Sequence, residues 1–375
     1  MCSNTLLFAC LQIPYNLYVK NFLHLQEMKK YTIKDIAQLA GVSKGTVDRV
    51  IHNRGKVSET ALKKVNNILK EIDYQPNLIA QSLKNNKNCH LCILMPDPII
   101  DPYWKPCIDG IDEALQEFSP FGTTLEYVYF NPFNKDSFEE QSLLALKSEF
   151  DGVLLAPLFQ KESIAFINKC DKTNKPYFLF NNDLKSADSQ KFVGQDLFQS
   201  GRIGAKLIHS TLKDNAEVAI IHIDEVFKNA THMQEKEKGF RSYFNDLNNN
   251  NFSITTYKLK HRNANNLKKT IKYFIDTHPE INGFFVTNSK INLLAALLNK
   301  NRENTCIVGY DLLQENIKYL KSGVIDYLIH QNPKRQAYLG VAFLADYILF
   351  NKVIPNKNLI PIDIVNSENY MGYLK

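Results

Sequence analysis

Residues 31–84 read YTIKDIAQLAGVSKGTVDRVIHNRGKVSETALKKVNNILKEIDYQPNLIAQSLK, and the punctuation of this stretch decides the first part of the fold. Thr32 is a good helix N-cap, and Asp35 three residues later gives an approximate capping box. Ile33, Ile36, Ala37 and Ala40 recur at helical spacing, so this helix buries one face, and Gly41 stops it early. Ser43 caps a second helix through residues 44–51 that turns Val47, Val50 and Ile51 inward. His52-Asn53-Arg54-Gly55 closes it. Ser58 caps a third helix with Ala61, Val65, Ile68, Leu69 and Ile72 inward, and Pro76 ends it. The spacing Ala-Gly-Val-Ser-x-x-Thr-Val is a helix, a tight turn and a second helix, the arrangement that lays a helix in a DNA major groove. Two short helices can also simply pack on a third, which accounts for Ile36 and Val47. That reading does not account for Lys44, Gly45, Asp48 and Arg49 on the non-core side of the second helix. Lys and Arg are the side chains that read guanine O6 and N7.

The charge distribution points the same way. Residues 28–88 hold twelve Lys or Arg against five Asp or Glu, a local balance of +7 in a 375-residue chain whose net charge is +6. The positive excess therefore sits in one short segment, as expected of a head that neutralises phosphates, although a solvated basic surface has the same composition. Hydrophobic residues at 44% and charged residues at 22% suit a soluble globular protein. Seven scattered cysteines form no disulfide framework and fit a reducing cytoplasm. The lone Cys89-His90-Leu91-Cys92 lacks a second pair at zinc spacing and is read as structural. No run approaches a membrane-helix length. Met28 opens MKKYTIKDIA like a natural start, so residues 1–27 are expected to be a disordered N-terminal extension, and no signal peptide is read there.

The quoted stretch resembles, without a gap, the head and hinge of the LacI/GalR family of bacterial repressors. Val57-Ser58, Tyr74-x-Pro76-Asn77 and Ala80-x-x-Leu83 are part of the match. The resemblance implies that Lys44, Gly45 and Arg49 face bases, while Thr32, Ser43, Thr46, Ser58, Tyr74 and Asn77 touch phosphates or fix the register. Asp48 departs from the small hydroxyl residue usual there; it would accept from a cytosine amine or orient Arg49. Residues 77–88 form the hinge, too short for a stable isolated helix. In the family this segment folds on DNA, and Leu83, one turn after Ala80, would be the wedge pressed into the minor groove. The alternative is a Leu resting on the following domain.

From residue 89 onward, strand-like and helical runs alternate. Residues 91–96, 124–129, 152–156 and 176–180 form one set of strands, and 218–223, 254–259, 283–286 and 306–309 a second, with helices such as 103–118, 136–148 and 266–276 between. The pattern predicts an α/β fold of two Rossmann-like lobes, parallel sheets with helices on both faces and a cleft at the carboxyl ends of the strands. The order resembles the type I periplasmic binding fold of LacI/GalR regulators and ribose-type binding proteins. Residues just after strands are the candidate effector contacts. Tyr103 and Trp104 follow the first strand, where sugar binders have an aromatic pair, although Trp104 also suits the core. Asn181 and Asn182 end the fourth strand. Phe192-Val193-Gly194-Gln195-Asp196 matches the segment that enters the second lobe. Lys236 stands where the family has Arg and cannot form the bidentate fork. Asn288, Asp311 and Gln331 complete the set, with Asn229, Thr231 and His232 as lesser candidates. Each polar residue is also explicable as a strand-end cap.

The expectation is a head at 28–76, a hinge at 77–88 and a sensing and dimerisation domain at 89–375. They would form a cytoplasmic homodimer that binds double-stranded operator DNA and a small sugar-like effector, with no cofactor, metal, catalytic residue or membrane. The first rival is a periplasmic-type sugar-binding protein, against which the head counts. The second is an enzyme, for which no G-x-G-x-x-G, P-loop, nucleophile elbow or H-E-x-x-H is found. The third is a scaffold that binds no DNA.

Overall fold

Thr32 accepts from the backbone N–H of Asp35 while the Asp35 carboxylate takes the Thr32 N–H at 2.8 Å, so α1 (Ile33–Ala40) starts with a reciprocal capping box. Gly41, at φ +64°, ends it. Ser43 Oγ accepts from Thr46 N at 3.1 Å and opens α2 (Lys44–Ile51), and Ser58 caps α3 (Glu59–Glu71). The three helices close over Ile36, Ala37, Ala40, Val47, Val50 and Val65, with Tyr31, Val42, Val57 and Tyr74 laid over the edges. This is a small core, so the caps contribute a sizeable share of its stability. The structure is a computed structural model that describes residues 31–51, 55–74, 88–147, 149–184, 191–212, 215–223, 231–247, 251–260, 264–298 and 304–374. Contacts divide the chain into two units, Met1–Asn77 and Leu78–Lys375.

The larger unit is two lobes built alike. In chain order its elements are β1 (Cys89–Pro96), α4 (Lys105–Phe118), β2 (Thr123–Phe130), α5 (Lys135–Ala145), β3 (Gly152–Leu155), α6 (Gln160–Lys172), β4 (Tyr177–Phe180) and β5 (Phe192–Gly194). Next come α7 (Leu197–Leu212), β6 (Ala216–Ile223), α8 (Thr231–Leu247), β7 (Phe252–Leu259), α9 (Ala264–Thr277), β8 (Ile281–Val286), α10 (Ile291–Ala295), β9 (Cys306–Tyr310), α11 (Gln314–Lys321) and β10 (Tyr327–His330). Last are α12 (Pro333–Phe350), β11 (Lys357–Leu359) and β12 (Asp363–Val365). Sheet order is β11-β5-β4-β3-β1-β2 in lobe 1 and β12-β10-β9-β8-β6-β7 in lobe 2. All pairings are parallel except β10 with β12. Among the described residues each sheet has six strands, where four are legible in the sequence. The added ones include β5, β11 and β12, which are three residues long and too short for an alternation pattern.

Both faces of each sheet are covered, as parallel sheets require. Cys89 and Cys92 fall on opposite faces of β1, in different core clusters, so they cannot converge on one ion. Burial pushes both thiols up to about 12. Among the described residues the chain passes between lobes three times: from β5 into α7 at residues 195–196, from β10 into α12 at 331–332, and from β11 to β12 at 360–362. After the first crossing, α7 packs on α8 at backbone distance. A Cβ on Gly201 would lie 2.0 Å from the Lys236 carbonyl oxygen, and one on Gly239 1.9 Å from that of Phe198. This contact fixes where α8 carries Lys236.

Candidate nucleic-acid interface and effector cleft

On the head, α2 is one-sided. Val47 and Val50 are buried, whereas Lys44, Gly45 and Arg49 are exposed and Asp48 is half-buried. The core demand of α2 is met by its valines, so the basic side chains are free of any packing role. Thr32, Ser43 and Ser58 are exposed at helix starts, where the hydroxyls of Ser43 and Ser58 cap their helices and both the N–H and the hydroxyl of Thr32 donate to Asp35. Ser43 and Thr46 share a hydroxyl hydrogen bond of 2.9 Å. Tyr74 is half-buried against the head core. Asn77, Ala80 and Leu83 lie outside the described residues, as does Asn229.

In the larger unit all eight candidate effector residues are buried; five of them follow strand ends on the carboxyl side of the sheets, and Tyr103 and Trp104 lie in a single 3-10 turn after β1. In lobe 1, Asn181 ends β4 at φ +73° and its Nδ2 donates to the Tyr103 hydroxyl. Tyr103 meets Trp104 edge to face at 5.0 Å, and Trp104 meets Phe180 likewise at 6.0 Å. Trp104 is thus part of the lobe 1 core as well as adjacent to the cleft. Asn182 donates to the Pro157 carbonyl at 3.5 Å.

In lobe 2 the matching position is Asp311, which ends β9 at φ +70°. Its Oδ2 accepts from Gln331 Nε2 at 2.9 Å and its Oδ1 from Gln331 N at 3.4 Å. Gln336 Nε2 in turn donates to the Gln331 carbonyl at 2.6 Å. Burial drives the Asp311 carboxyl up to about 6, with the Lys236 charge pulling back most strongly. Lys236, 1% exposed, donates from Nζ to the Thr287 carbonyl at 3.1 Å and lies 3.5 Å from the centroid of the Tyr310 ring. Its charge also acts on Asp311, drawing that carboxyl down against burial. Asn288 Nδ2 donates to the Ile223 carbonyl at 2.8 Å. Burial holds the Tyr103 hydroxyl well above its usual range, and the charges of Asp311 from lobe 2 and Asp101 from lobe 1 push it further.

Sequence reasoning missed the support beneath these residues. His222 places Nδ1 2.8 Å from Thr287 Oγ1 and Nε2 2.9 Å from Glu237. Burial would raise Glu237, but hydrogen bonds from His222, Thr256 and Arg241 outweigh it and hold the carboxyl at about 2. Tyr310, whose ring underlies Lys236, bonds Ser200 at 3.0 Å. These residues carry no family signal in a single sequence; only the packing of β6, β7, β8 and β9 with α7 and α8 assembles them.

Residues 32–77 match the family described as "Bacterial regulatory proteins, lacI family", and residues 92–352 match "Periplasmic binding protein domain". The chain belongs to the lacI family of bacterial regulatory proteins, with a periplasmic-binding-protein-like second unit. This lacI-family chain is 26% identical to a ribose operon repressor of Halalkalibacterium halodurans over 289 residues, 75% of this chain and 80% of that protein. It is 28% identical to a sucrose operon repressor of Streptococcus mutans over 177 residues, 47% and 51% of the two chains. A solved structure described as a LacI transcriptional regulator from Bacteroides fragilis superposes with a TM-score of 0.71 at 26% identity, over 77% of this chain and all of that one. GanP, a glucose-galactose binding protein from Geobacillus stearothermophilus, shares the fold at a TM-score of 0.66 and 23% identity, over 76% of this chain and 99% of that one. The lacI-family chain is a DNA-binding transcriptional regulator with a ligand-sensing unit. Among the described residues no helix is long and apolar enough to cross a membrane.

Proposed function

We propose that this regulator binds operator DNA through α2 as a homodimer, one head per half-site, and that a neutral sugar closing the two lobes changes its DNA affinity. One observation carries the reading: Tyr103 of lobe 1, bonded by Asn181, and Asp311 of lobe 2, bonded by Gln331, are buried polar groups at strand ends and near enough for the Asp311 charge to act on the phenol. Two carboxylates, Asp311 and Asp101, against one buried base disfavour a phosphate ester and leave an uncharged polyol as the better fit. The hydroxyls of such a ligand would satisfy Asp311 and the amides, and the apolar face of its ring would lie near Tyr103. The relatives named as ribose operon repressors make D-ribose the first ligand to try, and sucrose the second. The division into a head at 28–76, a hinge at 77–88 and a sensor at 89–375 is part of the proposal. So is a binding role in the cytoplasm, without catalysis.

The test is fluorescence anisotropy of the intact chain on its own upstream DNA, titrated with D-ribose, sucrose and D-ribose 5-phosphate. A shift of operator affinity by a neutral sugar, and none by the phosphate, is expected. Arg49→Ala should lose preference for the operator, a loss of about 1–3 kcal/mol, yet keep weak, salt-sensitive binding. Equal losses on operator and random DNA would remove Arg49 as a base reader. Failure of the intact chain to retard any DNA at low salt would end the regulator reading.

A further inference from the structure

Gln195 leaves β5 at the first crossover, and its side chain is 3% exposed. Its Nε2 donates to the His330 carbonyl at 3.0 Å and to the Pro361 carbonyl at 2.6 Å. His330 is the last residue of β10 before the second crossover, and Pro361 lies in the third. One side-chain amide thus touches all three strands of chain that join the lobes. Two carbonyl acceptors fix the amide's orientation, because both require its N–H groups. The remaining Oε1 is buried without a hydrogen-bond partner among the described residues. A buried unpaired acceptor is unfavourable, so packing alone would be better served by an apolar side chain of the same size.

Rotation of one lobe on the other has to be absorbed by backbone changes at these crossings. In the arrangement described here the lobes also meet at the cleft rim. Lys290 Nζ of lobe 2 lies 5.0 Å from the ring centroid of Phe133 in lobe 1, and Thr231 Oγ1 donates to Gln160 Oε1 at 3.3 Å. The Gln195 bonds are therefore made in an arrangement whose lobes meet at the rim. They also adjoin the effector cleft. Residue 330 is held by Gln195, and the next residue, Gln331, is held through both its backbone N–H and its side chain by Asp311.

We infer that Gln195 is a positioning residue for the effector response: its amide pins the three crossovers in this geometry and so sets how readily the lobes shut. The inference rests on the reading of the cleft as the effector site, and on the adjacency of residues 330 and 331 for its coupling to ligand. Neither DNA nor effector needs to touch Gln195.

Two variants of the full chain test it. Gln195→Met fills the same space without donors, and Gln195→Glu presents a carboxylate to two carbonyl oxygens. Amide hydrogen exchange is measured without ligand at rim segments 131–135 and 288–292, which Gln195 does not touch. Severalfold faster exchange than wild type is expected in both variants, larger for Glu. At pH 5 the Glu variant should move back towards wild type measured at the same pH, because a protonated carboxyl regains one donor. D-ribose binding by calorimetry should weaken roughly tenfold, the effect of two ordinary hydrogen bonds. Rim exchange equal to wild type in both variants overturns the inference. If wild type binds no D-ribose, the ligand proposal falls, while rim exchange still decides the role of Gln195. Should the Glu variant not fold, the Met variant decides it.

Discussion

Asp311 and Asn181 occupy equivalent places in the two lobes, each just past a central strand and each in left-handed backbone. Each also bonds back to the strand that leads to a crossover, Asn181 N to the Val193 carbonyl and Asp311 N to the Ile329 carbonyl, both at 3.1 Å. Asn and Asp tolerate this conformation better than other non-glycine residues, so residue type and position are explained together. Their place after strands is what made them legible in the sequence. Their surroundings were not, because the bond of Lys236 to Thr287 and its place over the Tyr310 ring leave no mark in the sequence. If Lys236 is the counter-charge of Asp311, Lys236→Met should destabilise the larger unit by about 3 kcal/mol by leaving a buried carboxylate uncompensated. The double variant Lys236→Met, Asp311→Asn should recover much of that loss. Urea unfolding followed by the fluorescence of Trp104, the one tryptophan of the chain, reads this unit directly. Additive losses in the double variant would mean that the two side chains do not interact.

At the scale of elements, helix starts were the most legible feature, because a cap is a local event. Thr32 with Asp35, Ser43 and Ser58 all act as read. The long strands were legible through their apolar runs. β5, β11 and β12 were not, since a strand of three residues is made by the neighbour it pairs with and leaves no periodicity of its own. The α7–α8 contact was equally hidden, as a glycine in a helix reads only as a weak helix former. Gly239→Ala would drive a methyl into the Phe198 carbonyl and push α8, and Lys236 with it, off the sheet. We expect a loss of about 3 kcal/mol in the larger unit by the same Trp104 assay. A wild-type unfolding midpoint would contradict the packing described. Gly45→Ala is the informative opposite. Its Cβ would meet nothing closer than Ser43 Oγ at 3.8 Å, so α2 should gain about 0.5–1 kcal/mol of helix stability. If Gly45 faces the groove, operator affinity should nevertheless fall. Tighter operator binding by this variant would place Gly45 away from the bases.

For the molecule as a whole, the two lobes and their crossings are coupled by titratable groups whose pH dependences have opposite signs. Burial raises Asp311 to about 6 from an ordinary 3.8. The folded state then binds this proton more tightly than the unfolded chain, so acidification between those values stabilises. Burial lowers His330, beside the second crossover, to about 4 from 6.5. Here the unfolded chain takes the proton first, so acidification through the same window destabilises. Between pH 7 and pH 5 the two contributions largely cancel, and on their account wild-type stability should change by less than about 1 kcal/mol. Glu237, held at about 2, contributes stability that is lost only below its ordinary 4.5 and stays out of this window. Asp311→Asn removes one side of the balance. Its larger unit should therefore lose roughly 2 kcal/mol on going from pH 7 to pH 5, the His330 contribution standing alone. Urea midpoints read by Trp104 fluorescence at the two pH values give the comparison. Parallel pH profiles for wild type and Asp311→Asn would show that the Asp311 carboxyl does not titrate there, and that its burial between the lobes is not as described.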